Sequence, residues 1–161
     1  MKIKKLLTVA LAGVLVCAMG TACDKKDKNS DGDYVSSKML EGANTTAQGV
    51  YNSAKNYCAQ MLSNDADVPA GVYAWIDGDS TAPAGGDAVV EAIEDSLGSE
   101  YKNADWAVMI EDGDKTASAV YASNETTLCV GSYPTGAEEV SEKSMGDMTT
   151  SELTALLNER S

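Results

Sequence analysis

Residues 39–62 read MLEGANTTAQGVYNSAKNYCAQML. Met39, Ala43, Ala47, Val50, Ala54, Cys58 and Met61 recur at steps of three and four, and Tyr57 and Leu62 widen the same side. That spacing predicts one long amphipathic helix. Lys38, Glu41, Gln48, Asn52, Lys55 and Asn56 fall on the opposite side. The apolar stripe is rich in alanine, so the helix can lie close against a flat surface such as a sheet. Gly42 and Gly49 each weaken it by about 1 kcal/mol relative to Ala, so packing has to compensate. Asn64-Asp65 and Pro69 supply its end.

Working toward the C-terminus, Val72-Tyr73-Ala74-Trp75-Ile76 reads as a strand, bounded by Gly71 and by Asp77-Gly78-Asp79. A loop over 80–86 follows. Asp87 then reads as the N-cap of a short helix with Val89, Val90, Ile93 and Leu97 on one side and Gly98 as its stop. Trp106-Ala107-Val108-Met109-Ile110 has little polar content and predicts a central strand. Asp112-Gly113-Asp114-Lys115 turns the chain into a third strand over 116–123, because Asp-Gly tolerates the positive φ angles of tight turns. Asn124-Glu125 turns it again into a fourth over 126–133. Thr149 and Glu152 form a capping box for a last helix, with Met148 and Leu153 placed as its staple and Leu153, Leu156 and Leu157 along its apolar edge. The expected fold is α+β: a long N-terminal helix packed on an antiparallel meander of about four strands, with a short second helix and a C-terminal helix.

Upstream, the chain gives itself an address. Lys2, Lys4 and Lys5 precede an apolar run from Leu6 to Met19, then Gly20-Thr21-Ala22 and Cys23. The run is short for a membrane span, which takes about 20 apolar residues. A charged start, a short apolar core and small residues before a cleavage point describe a secretory signal peptide over 1–22. The junction resembles a lipoprotein lipobox, with Gly20 where leucine is usual, which makes Cys23 the expected lipidation site. Residues 23–35 carry no run of apolar side chains and read as a polar tether. The expected organisation is then leader 1–22, tether 23–35, an α+β domain over 36–134, and an acidic linker with the C-terminal helix over 135–161.

The formal charge is −13, and removal of a leader holding three lysines and no acid takes it to −16. A phosphate backbone would be repelled, so nucleic acid is not an expected partner. An anionic membrane surface is equally disfavoured, so the N-terminal lipid has to supply any anchoring. Of the 4 cysteines, Cys17 leaves with the leader and Cys23 takes the lipid. Cys58 and Cys129 remain as a candidate disulfide, worth roughly 4 kcal/mol for so long a loop, with two separate buried thiols as the alternative.

The sequence offers no catalytic constellation. With no histidine, Ser-His and Cys-His pairs are excluded, and a zinc site would lack its commonest nitrogen ligand. Asp27, Asn29, Asp31 and Gly32 match half of a calcium loop, but Lys38 stands where the bidentate glutamate belongs. Asp77, Asp79, Asp87, Glu91 and Asp95 are close enough in sequence for carboxylate chemistry or for a calcium ion. Clustered acids are far more often a solvated surface. The acids nearest apolar sequence, Asp77, Glu91 and Glu111, sit at element ends or outward faces, so no raised carboxyl is expected. Neither enzyme activity, metal nor cofactor is expected.

Two stretches, Ala43-Asn44-Thr45-Thr46-Ala47 and Val50-Tyr51-Asn52-Ser53-Ala54, resemble the carboxyl half of a type IV pilin helix of Gram-positive gut bacteria. Trp106 to Ile110 and Val130-Gly131-Ser132-Tyr133-Pro134 resemble strands of the same pilin and pseudopilin headgroups. The resemblance runs from about Ser36 to Pro134 and implies a structural or interaction domain at the cell surface. A prepilin is cut after a glycine and carries glutamate five residues on; here Gly13 precedes Val14 and the fifth residue is Ala18. The resemblance therefore implies a pilin-like domain on a lipid anchor rather than a filament subunit, with a surface protein as partner. The alternative is a ligand-binding lipoprotein, its glycan held on the flat faces of Tyr73, Trp75 or Tyr133.

Overall fold

The computed structural model describes residues 30–98, 104–112, 115–123 and 125–161, with side chains from residue 36 onward. The leader, Cys23, the first part of the tether, and the residues Gly113, Asp114 and Asn124 of two expected turns lie outside the described residues.

Helix α1 spans Ser30–Ser63. It starts earlier than the apolar stripe suggests, so residues 30–35 of the expected tether are helical. A helical backbone over 30–38 also removes the calcium-loop alternative. Leu40, Ala43, Ala47, Val50, Ala54 and Cys58 form its buried face. Met39 is 45% exposed and Leu62 61% exposed, so the stripe begins on Leu40 rather than Met39. Lys38, Glu41, Gln48, Asn52, Lys55 and Asn56 are exposed as expected.

The sheet has five strands rather than four, β1 (Gly71–Ile76), β2 (Asp79–Thr81), β3 (Asp105–Glu111), β4 (Lys115–Ala122) and β5 (Gly131–Tyr133). Their spatial order is β2-β1-β3-β4-β5, with every neighbouring pair antiparallel. The Trp106 strand is central, as its composition requires. The extra strand β2 returns from β1 through Asp77 (φ 53) and Gly78 (φ 84). Two positive φ angles make this the two-residue turn that suits strand twist. The fourth expected strand is shorter than its sequence run. Residues 126–130 form a turn, with the Cys129 N–H donating to the Thr126 carbonyl, and pairing starts only at Gly131.

Three layers result. On one face α1 and α2 (Asp87–Leu97) bury Tyr73, Trp106, Val108, Ile110, Ala119 and Tyr121. On the other, α3 (Thr150–Arg160) covers Ala74, Ala107, Val120, Ala122 and Val130 with Leu153 and Leu157, aided by Met145. The expected C-terminal helix packs on the same sheet as the rest of the fold, through Leu153 and Leu157. The Ser118 hydroxyl donates to the Leu157 carbonyl at 2.6 Å, tying α3 to β4. Thr149 and Glu152 do form the capping box, and Met148 packs in the same cluster as Leu153. The N-cap of α2 is Gly86 rather than Asp87, which lies in the first turn. There its negative charge still favours the helix N-terminus.

Cys58 and Cys129 do not form a disulfide. Cys58 belongs to the main core, whereas Cys129 packs with Leu40 and Ala137 in a separate cluster. Both behave as small apolar residues.

Candidate functional site

Alternation along β1 puts Tyr73 and Trp75 on the α1/α2 side of the sheet. Their surroundings differ. Tyr73 is fully buried, and its hydroxyl donates to the Pro69 carbonyl at 2.5 Å. It is a core residue and not a ligand-facing aromatic. Tyr133 is at the other edge of the sheet, edge-on to Tyr51 with ring centroids 4.9 Å apart. All three lie on the helix-covered α1/α2 side of the sheet, but they do not form one open patch. Trp75 is the one that borders a concavity.

That concavity is an open groove of about 670 Å³ between α2 and the β1–β2 hairpin. Helix α2 turns Val89, Val90 and Ile93 inward. Its outer positions then bring Asp87, Glu91, Glu94 and Asp95 to the groove, facing Trp75 and Ser80. Like charges at i,i+4 oppose a helix by a few tenths of a kcal/mol (about 0.2–0.5) per pair. One of these acids has a structural task. The indole of Trp106, itself fully buried, donates its Nε1–H to Glu94 Oε1. A buried indole needs an acceptor, and α2 supplies it. Asp77 and Asp79 do not join the groove, so the expected acidic set is split. Among the described residues no group of three or more acids or cysteines is arranged to hold a metal ion. An indole, a hydroxyl and several carboxylates around an open groove can hold a polar ligand through stacking and hydrogen bonds.

The sequence pattern does not single out one carboxyl that the fold buries. Asp105, at the start of β3, is 6% exposed, and burial pushes its pKa above the usual 3.8. The Asp77 N–H donates to its Oδ1 at 3.0 Å, which holds the β1–β2 turn against β3. The available signal was position: Asp105 opens an otherwise apolar strand. A carboxyl raised in the folded state binds its proton more tightly there than in the unfolded chain. Its contribution to stability is therefore greatest in acid and falls as pH rises through the folded pKa. Asp105→Asn keeps the acceptor and removes the charge. Its stability relative to the parent should rise between acid and neutral pH, as the raised carboxyl of the parent loses its proton. Parallel unfolding curves across that range would refute the assignment.

Comparison with protein-family models, curated proteins and solved structures finds no match to this chain.

Proposed function

We propose that the chain is an exported, lipid-anchored, non-catalytic interaction module of the cell surface, pilin-like in its helix-on-sheet architecture. The observation that carries this reading is the reach of α1. At 34 residues it is about 50 Å long, and among the side chains described, from residue 36 onward, its buried face begins at Leu40. Ser37, Lys38 and Met39 stand in solvent ahead of the core. The helix thus continues beyond the domain toward Cys23, as a stalk between a lipid and a displayed head would. Antiparallel β3-β4-β5 under α1 supports the pilin-like comparison. The layer of α3 on the far face is an addition to that plan, and we read the likeness as one of architecture and not of polymerisation.

Cys23→Ser is the test. The parent should partition with detergent from its native membranes, and the variant should appear in the soluble fraction. A parent already soluble and unlipidated would remove the anchor.

A second reading, a ligand-binding lipoprotein, is favoured by Trp75, which is half-buried and borders the acidic groove. An indole beside carboxylates can stack on a sugar ring while the acids accept its hydroxyls. Oligosaccharide titration should then shift the Trp75 fluorescence, and Trp75→Ala should abolish the shift. An unchanged spectrum at saturating glycan would dismiss this reading.

A further inference from the structure

A second concavity lies on the α3 side, between residues 135–141 and the last turn of α3, with a volume of about 390 Å³. Its wall includes Val130, Val140, Leu156, Glu138, Glu139 and Arg160. Arg160 is the chain's single arginine. Its side chain is only 23% exposed, and its nearest acid is Glu159, with Nη2 at 3.7 Å from Oε1. Its Nε is buried and has no hydrogen-bond partner. A guanidinium N–H removed from water and left unpaired bears its desolvation uncompensated. In a chain of net charge −13 this is a conspicuous imbalance, because Glu138 and Glu139 border the same pocket without an ion pair to Arg160 among the described residues. Both glutamates are exposed.

We propose that this pocket binds a free α-amino acid with an aliphatic side chain. Its carboxylate takes two parallel hydrogen bonds from Nε and Nη2 of Arg160, the fork geometry that arginine offers to carboxylates. Because Nε is buried in the unliganded structure, binding requires the guanidinium plane to rotate toward the pocket. The α-ammonium is neutralised by Glu138 or Glu139. The side chain lies against Val130, Val140 and Leu156. A plain anion fits less well, since the two glutamates would repel it. A peptide terminus also fits less well, because its terminal residue carries only one of the two charges. The site is separate from the Trp75 groove and independent of how the chain is anchored.

The test is an NMR titration of the full chain with leucine, N-acetylleucine and leucinamide, following backbone amides of residues 130–141 and the Arg160 Nε–H. Leucine should give saturable shifts there at millimolar concentrations. N-acetylleucine lacks the ammonium and leucinamide lacks the carboxylate, and each should bind at least about tenfold more weakly. Arg160→Lys, with unchanged melting temperature, should lose binding to a similar extent because a lysine cannot form the fork. No saturation with leucine at tens of millimolar would overturn the proposal. So would equal binding of N-acetylleucine, which signifies a carboxylate or peptide-terminus site, or undiminished leucine binding by folded Arg160→Lys.

Discussion

Gly131→Ala is expected to cost the domain more than about 3 kcal/mol, beyond the usual range for overpacking, or to prevent folding. A Cβ at Gly131 would stand 2.1 Å from the backbone carbon of Ala43 and 2.2 Å from the Asn44 nitrogen. Both are main-chain atoms inside α1, so no side chain can swing away. The close approach exists because Asn44 clamps the strand and loop to the helix. Its Oδ1 accepts from the N–H groups of Ser132 at 2.8 Å and Ala137 at 2.9 Å, and its Nδ2 donates to the Ala137 carbonyl at 2.9 Å. Separating helix from strand to admit a methyl group would stretch all three bonds. Gly49→Ala is the matched control. Nothing lies within 4 Å of a Cβ there, so it should gain up to about 1 kcal/mol from helix propensity. Urea unfolding of both variants checks the pair. Equal effects of the same sign would mean that α1 and β5 are not in backbone contact.

The second large effect is expected at Val50, which is fully buried in the middle of the α1 stripe. Val50→Asp places a carboxylate among Ala47, Ala54 and the sheet residues with no cation to meet it. The result should be a loss of several kcal/mol (about 3–5), the range for an unpaired buried charge. Gln48→Asp, on the exposed face, should stay within about 0.5 kcal/mol. Chemical unfolding of the two variants decides it, and equal tolerance would mean that another face of α1 is buried.

Periodicity made α1 legible because a stripe at helical spacing has only one way to face a sheet. It located the stripe but not its first residue. Met39 and Leu40 are adjacent and both apolar, and only tertiary contact with Cys129 and Ala137 chooses Leu40. Strand β2 is hidden in the sequence because Asp79-Ser80-Thr81 is polar and exposed along its whole length, so it shows no burial pattern. The Asp77-Gly78 pair before it carries the hairpin signal, but with no apolar run after it the sequence does not distinguish a turn between two strands from the end of one. The opposite error occurred at 126–130, where residues suited to a strand are used for a turn. Leu128 remains 47% exposed there.

At the level of the site, residue type suggested aromatic faces but could not separate them. Tyr73 and Trp75 alternate in the same strand, and only the arrival of α2 leaves one at a groove and seals the other. Cysteine parity suggested a disulfide, whereas the fold places Cys58 and Cys129 in different clusters. Asp105 escaped notice because its burial depends on the Asp77 turn folding over β3, a contact between residues far apart in sequence. Arg160 stands at the end of a helix where a cation suits the dipole. Its buried, unpaired Nε becomes visible only when residues 135–141 pack beside it.

The anchor is the claim on which the proposed function most depends. Mass spectrometry of the N-terminal peptide of the protein, extracted from its native membranes, tests it most directly. The account predicts a chain that begins at Cys23 and carries the added mass of a lipid. A mature chain that begins elsewhere, or an unmodified Cys23 thiol, would contradict it.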